Sequence, residues 1–499
     1  MLWLLWLLAN AAAAQVPPAP SPLTPVVVPT DTLTRVEACP ASSPEKRAAL
    51  RVGAILFVGN ERTRARTLLA ELDFRVGDSL SVAGLAARLE ANRRRLFNLQ
   101  LFHAVLAQGS CGSTGQLTVL FSVQERWYLL PVPILSLAAP TFNNWLTRPD
   151  RWQRFDYGLH LTHDNVRGRA EELLLNVQLG FNRKYEAFYE IPGLGRARRV
   201  GLGFGASIYQ SRNLDYAIAQ DRPLALAEAE TEGFAVRRYY VSGGVRLRRT
   251  VRLRSALDFS YHREFISPRV AQLNPDYLLG GASGRQFGQV SWLTTLNQRN
   301  TFAYPLTGQF WEAALTYRHF WGARAVPAPN PALATVRLRY AHYRGLGHNF
   351  YYALGLWGQA RLLSPRLAYP DARALGYDAL VRGYDAYVVE GRHFGLVQQG
   401  LSWRAWAPPP LRLPFGNNPK VSTLPLAVYL NAFADVGAAG GALGRPEPAG
   451  STLPGTVLAS AGLGLHLVTY YDWVLCLELT RTLTAYPRTG LFVRTSFPI

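Results

Sequence analysis

The sequence predicts a mainly β membrane protein: an antiparallel transmembrane β-barrel of about sixteen strands, preceded by one small α/β domain of order β-α-α-β-β. Three observations predict it. From about Leu129 to Ile499, strand-length segments alternate apolar and polar with period two. Trp and Tyr recur near segment ends, where interfacial girdles require them. Beyond the first residues, no apolar run reaches helical-span length, so a membrane location demands a closed barrel that pairs every backbone group between strands.

Residues Leu2–Ala14 are apolar apart from Asn10 and end in an alanine run. They read as a secretory signal (1–14), although no Lys or Arg precedes the apolar stretch. A 15–44 linker follows, rich in Pro, Ala, Val and Thr, with nothing to bury. No cysteine stands just after the signal, which argues against a lipoprotein anchor.

Residues 45–128 form the α/β unit. Ala54–Val58 reads as a strand and Gly59-Asn60 as a turn. Thr63–Leu72 reads as a helix with Thr63 as N-cap, and Ser81–Leu96 as a second helix capped by Ser81, with Leu85, Leu89 and Leu96 as its apolar stripe. Leu101–Ala107 and Gln116–Gln124 follow as strands. Export permits a disulfide between Cys39 and Cys111, and two free thiols fit the sequence equally well.

Residues 129–499 are the barrel. Leu173, Leu175, Val177 and Leu179 oppose Asn176 and Gln178; Leu475, Leu477 and Leu479 oppose Cys476, Glu478 and Thr480. A strand sends alternate side chains to opposite faces. The aromatic set runs from Trp145 and Trp152 through Tyr239, Tyr240, Trp292, Tyr351 and Tyr352 to Tyr470, Tyr471 and Trp473. Soluble sandwiches also alternate, but rarely over so long a stretch.

The chain carries a net charge of +20, nearly all of it Arg, since Lys occurs only at Lys46, Lys184 and Lys420. The arginines are spread along alternating segments with no compact basic cluster, which argues against nucleic acid. A lipid-facing charge costs about 2–4 kcal/mol near the midplane. Arg246, Arg248, Arg252, Arg254, Arg337, Arg339 and Arg404 are therefore expected to line a hydrated, electropositive lumen.

No enzyme is expected. Gly201-x-Gly203-x-Gly205 sits in a strand pattern, outside the strand–helix context a nucleotide loop needs. His160 and His163 fall on opposite strand faces and make a poor metal pair. No cofactor or metal is implied.

Four segments resemble the BamA/TamA-type superfamily, also called the bacterial surface antigen family. Ile55–Asn60, Thr63, Phe74, Gly77-Asp78, Leu96, Leu101-Phe102 and Leu117–Glu125 are similar to a POTRA repeat, with Gly77-Asp78 as the turn between its helices. Asn297-x-Arg299, Pro305 and Gly308 resemble the family's Asp-x-Arg…Pro-x-x-Gly strand–turn–strand, with Asn297 where Asp is usual; on the residues alone this is a simple turn. Val381-Arg382-Gly383-Tyr384 matches the family's V-R-G-F/Y signature in a long loop before the twelfth strand. Phe497 is similar to the terminal aromatic of the insertion signal of barrel proteins, although Pro498-Ile499 extends past it.

The resemblance implies that the long loop folds into the lumen, where Arg382 docks on acidic residues of the inner wall. Asp435 and Glu478 stand on polar strand faces and are the expected partners. It implies an outer-membrane location with the POTRA domain in the periplasm. The implied partners are unfolded outer-membrane or exported client proteins, the lipid bilayer and accessory periplasmic or lipoprotein subunits. Clients would enter by strand addition at a free sheet edge and leave through a weak seam between the first strand (about Leu129–Leu137) and the last (Leu491–Phe497). The alternative is a secretion pore dedicated to one partner, or a structural or passive channel.

Overall fold

The computed structural model describes residues 34–36, 49–111, 116–137, 152, 154–195, 198–226, 233–250, 252–321, 332–408, 411–412, 423–424, 426–469 and 473–495. The expected signal, Cys39, Trp145, Tyr470, Tyr471 and Phe497 lie outside them. Among the described residues, no helix is long and apolar enough to cross a membrane.

The small domain comprises β1 (Thr34–Val36), β2 (Ala49–Val58), α1 (Ala65–Leu69), β3 (Ser79–Ser81), α2 (Leu85–Phe97), β4 (Phe102–Cys111) and β5 (Leu117–Glu125). Its sheet order is β1-β4-β5-β2-β3. Helix α2 forms because Leu85, Leu89, Asn92 and Leu96 recur at helical spacing and are buried together. They close a core with Val105, Ala107, Val119 and Phe121. Each large side chain so removed from water contributes about 1.5–3 kcal/mol.

Three local expectations change. Thr63 does not cap a helix: α1 begins after Arg64 with no side-chain cap, because the Thr63 hydroxyl is taken by Tyr128 and Asn165. Ser81 does not cap α2 either, since it pairs with Ala49 in β3 and Gly84 precedes the helix; Gly77-Asp78 therefore turns into a strand. Within the stretch expected as linker, Thr34–Val36 pairs parallel with Ala107–Gly109 of β4. Thr34 donates to the Glu90 carboxylate at 2.6 Å, which anchors that edge.

Among the described residues from Leu129 onward, sixteen strands form one sheet. Its strands are β6 (Leu129–Leu137), β7 (Phe155–Val166), β8 (Glu171–Gly180), β9 (Arg183–Ile191), β10 (Val200–Ser211), β11 (Val236–Arg248), β12 (Leu253–Ile266), β13 (Gly284–Asn297), β14 (Gly308–Trp321), β15 (Ala332–Gly347), β16 (Phe350–Leu362), β17 (His393–Trp406), β18 (Ala427–Gly440), β19 (Val457–Val468), β20 (Val474–Thr482) and β21 (Thr489–Arg494). Every neighbouring pair is antiparallel.

Alternation sorts the two faces. On β20, Leu477 and Leu479 are 37% and 51% exposed on the outer wall, while Glu478 between them is 0% exposed. The same rule splits adjacent aromatics expected to share a girdle. Tyr239 faces out, but Tyr240 meets luminal His262 edge-on, with ring centroids 4.9 Å apart. Tyr352 pairs with outward Leu401, whereas Tyr351 lies opposite luminal Ser402.

The inner arginines are not a bare basic lining. Arg246 bonds Glu190 and Asp258 at 2.6 and 2.7 Å, and Arg337 pairs with Glu312 at 3.3 Å. Arg339 lies over the Trp357 ring. An excess of positive charge in the sequence thus becomes, for much of the lumen, a lattice of cross-strand ion pairs.

Candidate functional site: the luminal arginine clamp and the strand seam

The chain between β16 and β17 folds back inside the barrel. At its turn, Val381 is buried with Leu396, Ala439 and Leu458. Gly383 adopts φ +90°, and a Cβ there would come within 2.9 Å of Thr480 on the wall. Opposite, a Cβ on Gly437 would meet Val381 at 2.8 Å. The two glycines let loop and wall backbones approach closely enough for Arg382 to reach through.

Arg382 is fully buried and bonds Asp435 in a fork: Nε to Oδ2 at 2.7 Å and Nη2 to Oδ1 at 2.5 Å. Its backbone N–H adds a third bond to Asp435 at 3.0 Å, and Nη1 reaches Glu478 at 3.3 Å. The guanidinium lies 3.8 Å from the Phe433 ring centroid. Burial alone would lower the Arg382 pKa, but the two carboxylates overcome it and hold the side chain charged. Planar bidentate bonding fixes the loop's angle as well as its position, which a Lys could not do. Tyr384 is also buried and bonds Thr484 at 2.9 Å.

A second dock on the same loop escaped the sequence reading. Asp371 accepts from Arg285 at 2.5 Å and Arg318 at 2.8 Å. Burial would raise its pKa, yet the two guanidinium groups hold it below the usual carboxylate range. No fixed spacing links Asp371 to its partners, so charge complementarity was the single available signal.

The Asn297–Gly308 motif does more than turn. Asn297 Oδ1 accepts from Arg299 N and Nε, both at 3.2 Å, and the Arg299 guanidinium covers Phe310. Pro305 is buried beside Tyr304, which projects inward onto Tyr429 with ring centroids 4.5 Å apart. The Tyr304 hydroxyl lies 2.9 Å from His466 Nδ1, and His466 Nε2 lies 3.6 Å from Glu478. Tyr304, His466, Glu478, Arg382 and Asp435 thus form one buried chain of polar contacts between the turn and the long loop.

Glu478 also receives Arg494 of β21 at 2.9 Å. Strands β6 and β21 are the two ends of the sheet, and no ladder joins them among the described residues. The Tyr128 carbonyl accepts from Asp164 N–H on the β7 chain, so even-numbered residues of β6 turn their backbone groups toward β7 and odd-numbered ones toward the free edge. Pro131 and Pro133 therefore present carbonyls but no donors there. By the same reasoning, Arg488 bonds toward β20, which leaves Thr489, Leu491 and Val493 facing the free edge with donors intact.

Comparison with known proteins puts these features in context. Residues 50–126 match the POTRA family model, described as surface antigen variable number repeat. CdiB from Escherichia coli superposes with TM-score 0.52 at 15% identity, over 89% of this chain and 75% of that one. BamA from Haemophilus ducreyi lacking POTRA domains 1–3 gives 0.49 at 15% identity, over 89% and 83%. CdiB from Acinetobacter baumannii gives 0.45 at 18%, over 90% and 74%. No curated protein matches the chain. Residues 50–126 form a POTRA domain, and the barrel behind it shares its fold with CdiB.

The POTRA domain is latched to its barrel. Arg248 on β11 grips Glu71 through two bonds of 2.6 and 2.5 Å. Arg64 N–H donates to Gly168 O in the β7–β8 turn. Thr63 Oγ1 bonds Tyr128 at 2.9 Å and Asn165 at 2.8 Å. Asn98, after α2, donates to the Arg299 carbonyl at 3.3 Å and so touches the inward turn. In the POTRA sheet β1 covers β4, and β3 covers just Ala49–Arg51 of β2. Ala54–Val58 keeps an open edge among the described residues, with Leu56 and Val58 exposed. Cys111 is disulfide-bonded, and Cys476 is free and buried.

Proposed function

We propose that the chain mediates insertion or translocation of client proteins at the bacterial outer membrane, with the POTRA domain in the periplasm. The observation that carries this reading is the seam between β6 and β21, which no ladder closes among the described residues, one strand away from the clamped loop. A wall meant purely as a channel has no use for unpaired edges, which template further strands. The open Ala54–Val58 edge offers a first capture point of the same kind, by strand addition. Arg382, Asp435 and Glu478 would set the loop's position, and Phe497 would serve the chain's own insertion. Accessory periplasmic or lipoprotein subunits would bind the POTRA side.

One observation favours the alternative, a secretion pore dedicated to one partner. Pro131 and Pro133 remove two donors from the β6 edge, so that edge templates a client strand poorly. Depletion followed by quantitative outer-membrane proteomics separates the readings. Broad loss of barrel proteins supports insertion, and loss of one exported protein supports dedicated secretion. An unchanged proteome and secretome would sink both and leave a structural or passive channel.

A further inference from the structure

Although the sequence contains no compact basic cluster, the fold assembles one on the outside of the barrel. On β9, β10 and β11, Arg183 pairs in register with Gln210, and Gln210 with Arg237. These positions share a face with outward Tyr185, Ile208 and Tyr239, which are 37%, 40% and 36% exposed. Arg183 and Arg237 therefore point away from the lumen. They sit at the rim far from the POTRA domain, because the other end of β11 is Arg248, which holds Glu71. The next outward row toward the POTRA side is apolar and aromatic, so the arginines stand at the upper margin of the lipid-facing band.

Arg212, just past β10, completes the group. The guanidinium carbons of Arg183, Arg212 and Arg237 lie 5.3, 5.3 and 5.9 Å from the ring centroid of Phe234. Three like charges around one ring repel one another, and the ring's quadrupole offsets part of that. Among the described residues no carboxylate pairs with any of the three, in contrast to the ion-paired arginines inside. Arg212 Nε is buried without a hydrogen-bond partner, and a buried donor left so costs about 1–3 kcal/mol. Convergent guanidinium groups with unused donors, at the edge of an apolar wall, suit a phosphate that carries acyl chains.

We propose that Arg183, Arg212 and Arg237 bind the phosphorylated headgroup of a lipid in the leaflet distal to the POTRA domain, with its chains along Tyr185, Ile208 and Tyr239. Under the outer-membrane reading, that lipid is the phosphorylated glycolipid of the outer leaflet. The proposal rests on that reading for the lipid's identity, but its test uses no client protein, so the two fail separately.

The test is native mass spectrometry of the purified, detergent-folded chain titrated with bisphosphorylated lipid A, dephosphorylated lipid A and inorganic phosphate. Each arginine near a lipid surface is worth roughly fivefold in affinity, so R183Q/R212Q/R237Q is expected to weaken lipid A binding about a hundredfold. R344Q removes an exposed charge at the opposite rim and is expected to bind as the parent does. R183K/R212K/R237K retains charge and is expected to recover most of the loss. Heat-modifiable migration in SDS verifies folding, and if the triple variant fails it, R237Q alone is expected to weaken binding about fivefold. Equal binding of dephosphorylated lipid A, or parent-like binding by a folded glutamine variant, overturns the proposal. Full competition by inorganic phosphate overturns the lipid assignment in favour of a plain anion site.

Discussion

The inner wall at β17–β20 and the seam one strand further on are built on opposite plans. At the wall, a fully buried arginine is held by two carboxylates and a backbone bond, and two glycines bring the facing backbones together. At the seam, two strands end with no ladder between them among the described residues, and one edge has lost two donors to proline. The difference teaches that a clamped wall and an unpaired strand edge are separated by a single strand. Glu478 belongs to both regions, since it binds Arg382 on one side and Arg494 of the terminal strand on the other.

Breaking the rigid side should have the largest effect. Arg382→Ala strands Asp435 as a buried charge, while Glu478 keeps Arg494, a loss of about 3–5 kcal/mol in loop docking. The barrel is expected to fold, with the long loop cleaved faster by protease and client transport reduced. Unchanged cleavage and transport would show that the clamp fixes nothing.

Strengthening the weak side comes next. P131T/P133T restores two outward donors, each worth about 1 kcal/mol if the β21 edge takes them up. Slower hydrogen exchange at Leu491 and Val493, with lower transport, is the expected outcome. Exchange equal to the parent's would mean that the edges do not meet even with the donors restored.

A smaller effect tests whether the two regions communicate with the near turn. Tyr304→Phe keeps the ring stack on Tyr429 but deletes the hydroxyl contact to His466, at about 1 kcal/mol. It is expected to loosen the loop partially and to add less than its full effect in the Arg382→Ala background. Strict additivity would show that the buried chain of contacts does not couple them.

The smallest effect lies in the POTRA edge. Burial would raise the Glu90 pKa, but bonds from Arg93, Thr34 and Arg94 bring it down to about 2, well below the ordinary glutamate value of 4.5. A depressed carboxyl stabilises fully above its unfolded pKa and loses that contribution as pH falls through the folded one. Hydrogen exchange at Thr34–Val36 is therefore expected to be steady above about pH 4.5 and to quicken below it. Glu90→Gln should abolish the pH dependence.

The barrel was legible because strand geometry leaves a period of two that survives in any register. Arg382 and its two carboxylates could be named because the loop signature and the polar faces of β18 and β20 point at each other. Tyr304, His466 and Asp371 could not, since contacts across a lumen join residues with no fixed separation. Thr63 and Ser81 misled for another reason: a hydroxyl before a helical pattern caps it unless a stronger partner claims the hydroxyl or a sheet claims the backbone. Three residues such as Thr34–Val36 are too few to show any period.

The Thr63 hydroxyl bonds Tyr128, the last residue before β6 begins. A pull on the POTRA domain therefore reaches the first seam strand by the shortest covalent route, while Arg248 and Gly168 act as a fulcrum. Mechanical load from an engaged client would be delivered as leverage on one of the two strands of the wall that, among the described residues, have no neighbour on the far side.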